Sequence, residues 1–473
     1  MQKYLIKNIQ VVNEGEIKTV DVLIAEGRIE KIASSISTQQ AAIEIDGEGK
    51  FLLPGVIDDQ VHFREPGLTH KAIIYTESKA AISGGVTSFM EMPNTIPPVF
   101  TQELLEHKYD IASRTSLANY SFYMGVSNEN AEEVLKTNDK KNEVCGIKIF
   151  LGSSTGNLLV DNPPTLNKIF SESELLIATH CENEKMIRSN YEKLKSEKNL
   201  LTASDHPIIR NEEECFDSSF NAIQYAKKHN SRLHILHIST EKELQLFSNA
   251  VPLKDKRITA EVCVHHLHFT SDDYDQLGWL IKCNPAIKAP HHRKALWSGL
   301  LDDRLDIIAT DHAPHTLNEK GFYRNAEGRL TAITRNDTGD GQYEKAHAGL
   351  PLVQHSLLLM LYYHSLGKIS LEKIVDKMSH AVAECFQIKD RGWIREGYHA
   401  DLVIVDLNTK TKVSKETILY KCGWSPFEAV EPDRQDFEYP AVITHTFVNG
   451  HLVYGNGNWN ESVLGQRLVF NRE

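Results

Sequence analysis

Hydrophobic positions in this chain come in two rhythms. Near both ends they alternate with polar ones in short runs broken by turn residues: YLIKNIQVV and VDVLIAEGRIEKIA before residue 50, ADLVIVDL and VITHTFVNGHLVYGNG after residue 396. Period-two alternation bounded by turns predicts half-buried strands, and the two ends read together as one small β domain. Between them the pattern changes to short apolar runs separated by helix-length stretches. Eight such runs occur: FLLPGVID, GVTSFMEM, ANYSFYM, CGIKIFL, ELLIATH, RLHILHI, ITAEVCV and LDIIATD. Strands buried on both faces and alternating with helices predict a parallel sheet. Eight units over residues 51–395 match a (β/α)8 TIM barrel, with a doubly wound open sheet as the alternative. The expected fold is therefore an α/β TIM barrel, with a small β-sandwich domain built from 1–50 and 396–473.

Polar residues at the ends of those runs sharpen the expectation. His62, Lys148, His180, His237 and Asp311 each sit at or near the end of a different predicted strand, and in a barrel such ends converge on one face. One histidine ending a strand is ordinarily structural. Five metal-competent side chains on five strands are hard to explain as packing, because buried charges cost several kcal/mol unless paired or metal-bound.

Composition narrows the function classes. The 64 acidic residues exceed the 52 basic ones, for a formal net charge of −12, which disfavours nucleic acid or an anionic membrane as partner. No apolar run reaches the ~20 residues of a membrane span, and MQKYLIKNIQVVNEGEIK has no signal-peptide core. A cytoplasmic protein is expected. The seven cysteines (145, 181, 215, 263, 283, 385 and 422) show no C-x-x-C spacing and read as reduced thiols; Cys181 and Cys263, beside candidate site residues, read as packing.

The most informative stretch is LPGVIDDQVHFREPGLTHK, residues 53–71. It resembles the first-strand signature of the amidohydrolase superfamily, in the R-E-P-G form typical of dihydroorotases. MPNTIPP (92–98), GIKIFLGSS (146–154), ATHCEN (178–183), HILHIST (234–240), CNPAIK (283–288) and ATDHAPHT (309–316) extend the resemblance over nearly the whole chain, and IREGYHADLVIVDL resembles the closing β domain. The resemblance implies one metal position at His62 and Asp311 and another at His180 and His237, bridged by a carboxylated Lys148. The metal would be Zn2+, one or two ions per chain. An unmodified Lys148 beside a single ion is the alternative. His234, His265, His266 and His268 fall outside the implied ligands.

By the same resemblance Asp311 is the general base, Arg64, Asn94 and His315 hold a substrate carboxylate, and Asn284 contacts the ring. The implied reaction interconverts N-carbamoyl-L-aspartate and L-dihydroorotate in pyrimidine biosynthesis. Arg64 lies two residues beyond His62 and should face the same cavity, where a guanidinium suits a carboxylate. The alternatives are a catalytically inactive structural subunit, for example one bracing an aspartate transcarbamoylase, and a hydantoinase or allantoinase. A homo-oligomer is the superfamily's habit.

The chain departs from the pattern at Gln60, where the first histidine of an H-x-H pair is expected. A neutral amide oxygen is a poor zinc ligand, so the position at His62 and Asp311 is the weaker one. Lys288 replaces a usual arginine, and HHRKAL replaces a more acidic run. Between Pro314 and Pro351 a long polar segment reads as a lid or mobile loop beside the catalytic strand.

Overall fold

A computed structural model describes residues 2–37, 42–152, 158–333, 342–431 and 434–472. Ser153 and Ser154 of the lysine-strand motif, and 334–341 of the long polar segment, lie outside the described residues. Each of the eight apolar runs contributes one barrel strand: Val56–Val61, Val86–Glu91, Asn119–Phe122 with its continuation Met124–Gly125, Ile147–Phe150, Ile177–His180, Leu233–Ile235, Ile258–Cys263 and Ile307–Ala309. Neighbours in this order pair in parallel. A parallel bridge between Val61 and His312 closes the ring, with His62 N–H donating to His312 O at 2.7 Å. The barrel is thereby complete, and the open-sheet alternative is excluded.

Every residue of Val56–Val61 and Val86–Glu91 is buried, including Asp58, Asp59, Gln60, Thr87, Ser88 and Glu91, so these strands are covered on both faces. The helices between them carry their own boundaries in sequence. In Glu212–His229 the cap Asn211 accepts from Glu213 N–H and Glu214 N–H, three glutamates occupy the first turn and Lys227, Lys228 and His229 the last, and Asn230 ends it at φ 52°. Capping, macrodipole and a left-handed stop agree.

The two ends of the chain meet in one nine-stranded sheet, with strands from Lys3–Asn13 to Asn458–Trp459. Phe51–Pro54 joins this sheet, parallel to Lys3–Asn13 and antiparallel to Leu402–Asp406. The first apolar run is therefore divided between the two bodies at Gly55. A Cβ there would stand 2.1 Å from Thr87 Oγ1, so only glycine lets the chain pass. Alternation along Leu402–Asp406 serves both bodies: Leu402 and Ile404 pack in the flanking core, Val403 and Val405 in the main core.

Not all of the C-terminal flank stays in that sheet. Trp424 Nε1–H donates to His315 O at 2.6 Å, above the barrel, while Leu468 and Phe470 pack with Tyr123, Cys145 and Leu176 along its side. The long polar segment is partly ordered structure: a hairpin of Phe322–Arg324 and Leu330–Ala332, then helix Gln342–Lys345. Buried Lys320 donates to the carbonyls of Lys282, His347 and Gly349 at 3.0, 2.8 and 3.0 Å, and Lys282 donates to those of Tyr343 and Ala346. Two buried ammonium groups thus pin residues 343–349 over the strand ends. No helix among the described residues is long and apolar enough to cross a membrane.

Candidate active site

A cavity of about 430 Å³ opens at the C-terminal ends of the barrel strands, where functional groups gather in this architecture. Its wall contains all nine residues singled out in sequence, His62, Arg64, Asn94, Lys148, His180, His237, Asn284, Asp311 and His315, together with Gln60. Three of them adopt left-handed backbone conformations rare for such side chains: Arg64 at φ 69°, His237 at 41° and Asp311 at 48°. Such conformations cost about 1–3 kcal/mol each and persist where the surroundings over-determine them.

The five metal-competent residues fall into two pairs and a lysine. His62 Nε2 and Asp311 Oδ1 are 2.9 Å apart, and His62 Nδ1 lies 2.7 Å from the side-chain amide of Asn94. His180 Nδ1 and His237 Nε2 face each other at 2.9 Å from adjacent strands. Lys148 lies on the neighbouring strand with Nζ 4.5 Å from the Phe150 ring centroid. Burial pulls its ammonium down to about 7, against the opposing pull of Asp311 and Glu261. A large fraction is then neutral amine at neutral pH, the form that adds carbon dioxide.

These groups fit a metal unequally. Burial, followed by the charges of His180 and Lys148, drives His237 far below the ordinary imidazole value. Burial also lowers His62, while at Asp311 burial is outweighed by the hydrogen bond and charge of His62 together with the charges of His265 and His180, and the carboxyl is held below its usual range. These shifts favour neutral imidazole at His62 and His237 and an ionised carboxylate at Asp311, the forms a metal ligand needs. Zn–N bonds of about 2.0–2.1 Å put tetrahedral ligands roughly 3.3 Å apart, so His180 and His237 need open only slightly to admit an ion. At His62 and Asp311 the third place is taken by the amide of Gln60, whose Nε2–H donates to Asp311 Oδ1 at 3.2 Å. His180 and His237 face each other with no such amide between them.

Several groups that sequence reasoning missed complete the site. His180 Nε2–H donates to buried Glu182 at 2.9 Å, and Arg210 binds the same carboxylate oxygen. A histidine that gives its far N–H to a carboxylate has its other nitrogen free and fixed in direction. The signal was present in ATHCEN, a carboxylate two residues beyond the histidine. His206 joins Tyr343 OH at 2.9 Å to Asn284 Oδ1 at 3.1 Å; these residues lie far apart in sequence and show no pattern. Glu261, beneath the floor, accepts from His237 N–H at 3.0 Å and neighbours His234. Lys288 turns away from the cavity, donating to Ser239 Oγ at 3.0 Å and Ala286 O at 3.2 Å.

One wall is cationic. Arg64 donates through Nε to Pro314 O at 3.2 Å and stands 3.1 Å from His315 Nε2, while Lys71 Nζ lies 3.0 Å from His315 Nδ1. Burial lowers Arg64 to about 10, still charged at neutral pH. Burial and the Arg64 charge hold His315 neutral. Of the other basic residues lining the cavity, Arg210 is paired with Glu182 and burial brings Lys148 and Lys282 down to about 7, which leaves Arg64 as the cation facing it.

Comparison with known proteins agrees with this geometry. The family model described as "Amidohydrolase family" matches residues 51–453. A dihydroorotase of Methanosarcina acetivorans is 31% identical over 441 residues, spanning 90% of this chain and 88% of the relative. One of Carboxydothermus hydrogenoformans is 32% identical over 428 residues, 89% and 92% of the two chains. Among solved structures, an L-hydantoinase from Arthrobacter aurescens superposes with a TM-score of 0.87 at 25% identity, covering 99% of this chain and all of its own. Family model, relatives and barrel face lead to one assignment: this chain belongs to the amidohydrolase family, as a relative of the dihydroorotases.

Proposed function

We propose that this protein is a zinc-dependent dihydroorotase, interconverting L-dihydroorotate and N-carbamoyl-L-aspartate. The observation that carries the reading is Arg64 and His315 facing the paired histidines across one cavity, with Lys71 behind His315. A hydantoin or allantoin ring has no carboxylate for that wall to hold, whereas dihydroorotate does. The gathering of Lys148, His180, His237, Asp311, Arg64 and Asn94 in one cavity speaks against a catalytically silent subunit.

In this reading His180, His237 and a carboxylated Lys148 hold the ion. When bound, zinc supplies a water that ionises near neutral pH and a Lewis acid for the amide carbonyl. Asp311 takes the proton of the attacking water and delivers it to the departing ring nitrogen. The ring C–N bond breaks, the carbonyl carbon becomes a carboxylate and the nitrogen becomes the ureido NH2. Arg64 and His315 hold the retained carboxylate, and Asn284, fixed by His206, contacts the ring. Asn94, whose side-chain amide lies 2.7 Å from His62 Nδ1, completes the carboxylate clamp. Tyr343 to Gly349 roof the cavity and limit water to the attacking position.

The division of the chain into a barrel of 51–395 and a flanking β domain of 1–50 plus 396–473 belongs to the same proposal. The flanking sheet supports it, with Phe51–Pro54 as the seam. The decisive experiment is turnover of dihydroorotate, hydantoin and allantoin by purified protein loaded with zinc. Dihydroorotate should be the preferred substrate by orders of magnitude in kcat/KM; preference for hydantoin or allantoin, or no turnover of any, overturns the reading. Ring opening releases one proton, so the equilibrium must shift toward carbamoyl-aspartate as pH rises and toward dihydroorotate as it falls.

A further inference from the structure

Gln60 lies where a metal ligand is expected, yet its hydrogen bonds give it a different task. Asp311 Oδ1 can only accept a hydrogen bond when ionised, so the end of Gln60 that approaches it at 3.2 Å must be the Nε2 amide. The opposite orientation would set two oxygens against each other. On the far side Cys263 Sγ lies 3.7 Å from Gln60 Oε1 and 3.9 Å from Glu261 Oε1, and the shorter contact gives the thiol's one proton to the amide oxygen. The amide's metal-competent atom therefore faces Cys263, at the end of the seventh barrel strand, and not the position beside His62.

Gln60 and Cys263 are 2% and 0% exposed, and the chain of contacts is continuous: Cys263 to Gln60, Gln60 to Asp311, and His62 to the same Asp311 oxygen at 2.9 Å. Both contacts fall on Oδ1. Among the described residues nothing donates to Oδ2, which is left as the oxygen able to handle a proton. Asp311 also holds a left-handed backbone at φ 48°, so its carboxylate depends on such anchors for its direction.

We propose that Gln60 is a positioning residue for Asp311 in a one-metal site, and that Cys263 sets the orientation of its amide. Cys263 is then a donor in the site's support, not the packing residue its sequence suggested. The inference rests on Asp311 being the general base, and it deepens that reading.

The test strips the full-length protein with a chelator, titrates it with Zn2+ alone, and measures steady-state turnover of the reloaded enzyme. The native protein and Gln60→Leu should each bind one tight ion per chain, and Gln60→His should bind two. Gln60→Leu should lower kcat about 10- to 100-fold, part of the ~10²–10⁴ that a positioned general base supplies, with KM within about twofold. Cys263→Ala should lower kcat by a smaller factor, and Cys263→Ser, which keeps a donor, should restore most of it. If Gln60→Leu fails to fold, Gln60→Met supplies the apolar variant. Loss of an ion in the apolar variant, an unchanged kcat, a KM effect without a kcat effect, or Cys263→Ser no better than Cys263→Ala each overturns the proposal. If the native enzyme turns over hydantoin and not dihydroorotate, the substrate reading fails, while the same comparison run on hydantoin still decides the role of Gln60.

Discussion

Replacing Arg64 by methionine keeps an unbranched side chain at the strained φ 69° position and removes the cation facing the cavity. A charge-assisted hydrogen bond is worth about 1.5–3 kcal/mol, so KM for dihydroorotate should rise about 10- to 100-fold, while turnover of uncharged hydantoin should change little. Equal losses on both substrates would make Arg64 a structural anchor for Pro314 and His315. Lys148→Ala probes the other side of the cavity. It should lose its zinc and nearly all activity, and a high concentration of a short carboxylic acid should restore part of both by filling the place of the carbamate. Retention of full zinc content by the alanine variant would remove Lys148 from the ligand set. Neither role could be read from these residues alone, since a buried arginine is often only half of an ion pair and a lysine in an apolar strand often only reaches for solvent.

At the level of elements, helix Glu212–His229 and the roof of the cavity make contrasting cases. The helix was legible because cap, first turn, last turn and stop all point the same way. Asn211→Ala should cost about 1 kcal/mol in urea unfolding and leave KM unchanged; a KM change of more than a few-fold would tie the cap to the site. The roof could be read only as a long polar segment. What pins Tyr343 to Gly349 is the pair Lys282 and Lys320, one outside the segment and one at its beginning, and no local pattern announces buried lysines that serve carbonyls. Lys320→Met leaves three carbonyl acceptors without their donor, at about 1–3 kcal/mol for each that stays buried. The variant should be cut by protease between 342 and 349 at concentrations that spare the native protein, and its KM should rise. Unaltered protease resistance would show that the roof is held by other contacts.

For the whole molecule, the last residues act as a strap along the barrel. Leu468 and Phe470 are 0% and 2% exposed, and Arg472 donates to the carbonyls of Lys141, Val144, Cys145 and Phe386. Removing residues 465–473 exposes two apolar side chains worth about 1.5–3 kcal/mol each, a large share of a typical stability of ~5–15 kcal/mol. The truncated protein should show a clearly lower urea midpoint; a midpoint equal to that of the native chain would mean the strap is dispensable. Sequence pattern had put this segment with the flanking β domain, because short apolar alternation looks alike whether a strand joins a sheet or lies against a barrel.

What the sequence determined by itself was local. Doubly buried strands are rich in apolar residues, so eight could be counted from the spacing of the apolar runs, and the motifs at their ends named the histidines, lysine and aspartate of the site. Tertiary structure decided whatever depends on which distant atoms meet. Gly55 separates the first apolar run into two bodies because Thr87 stands against it. Glu182 and Arg210 stand behind His180, and His206 behind Asn284, through contacts between loops with no periodicity. Gln60 looked like a missing ligand until Cys263 and Asp311 were found on either side of it. An amide has a donor and an acceptor end, and only its neighbours in space determine which end faces the site.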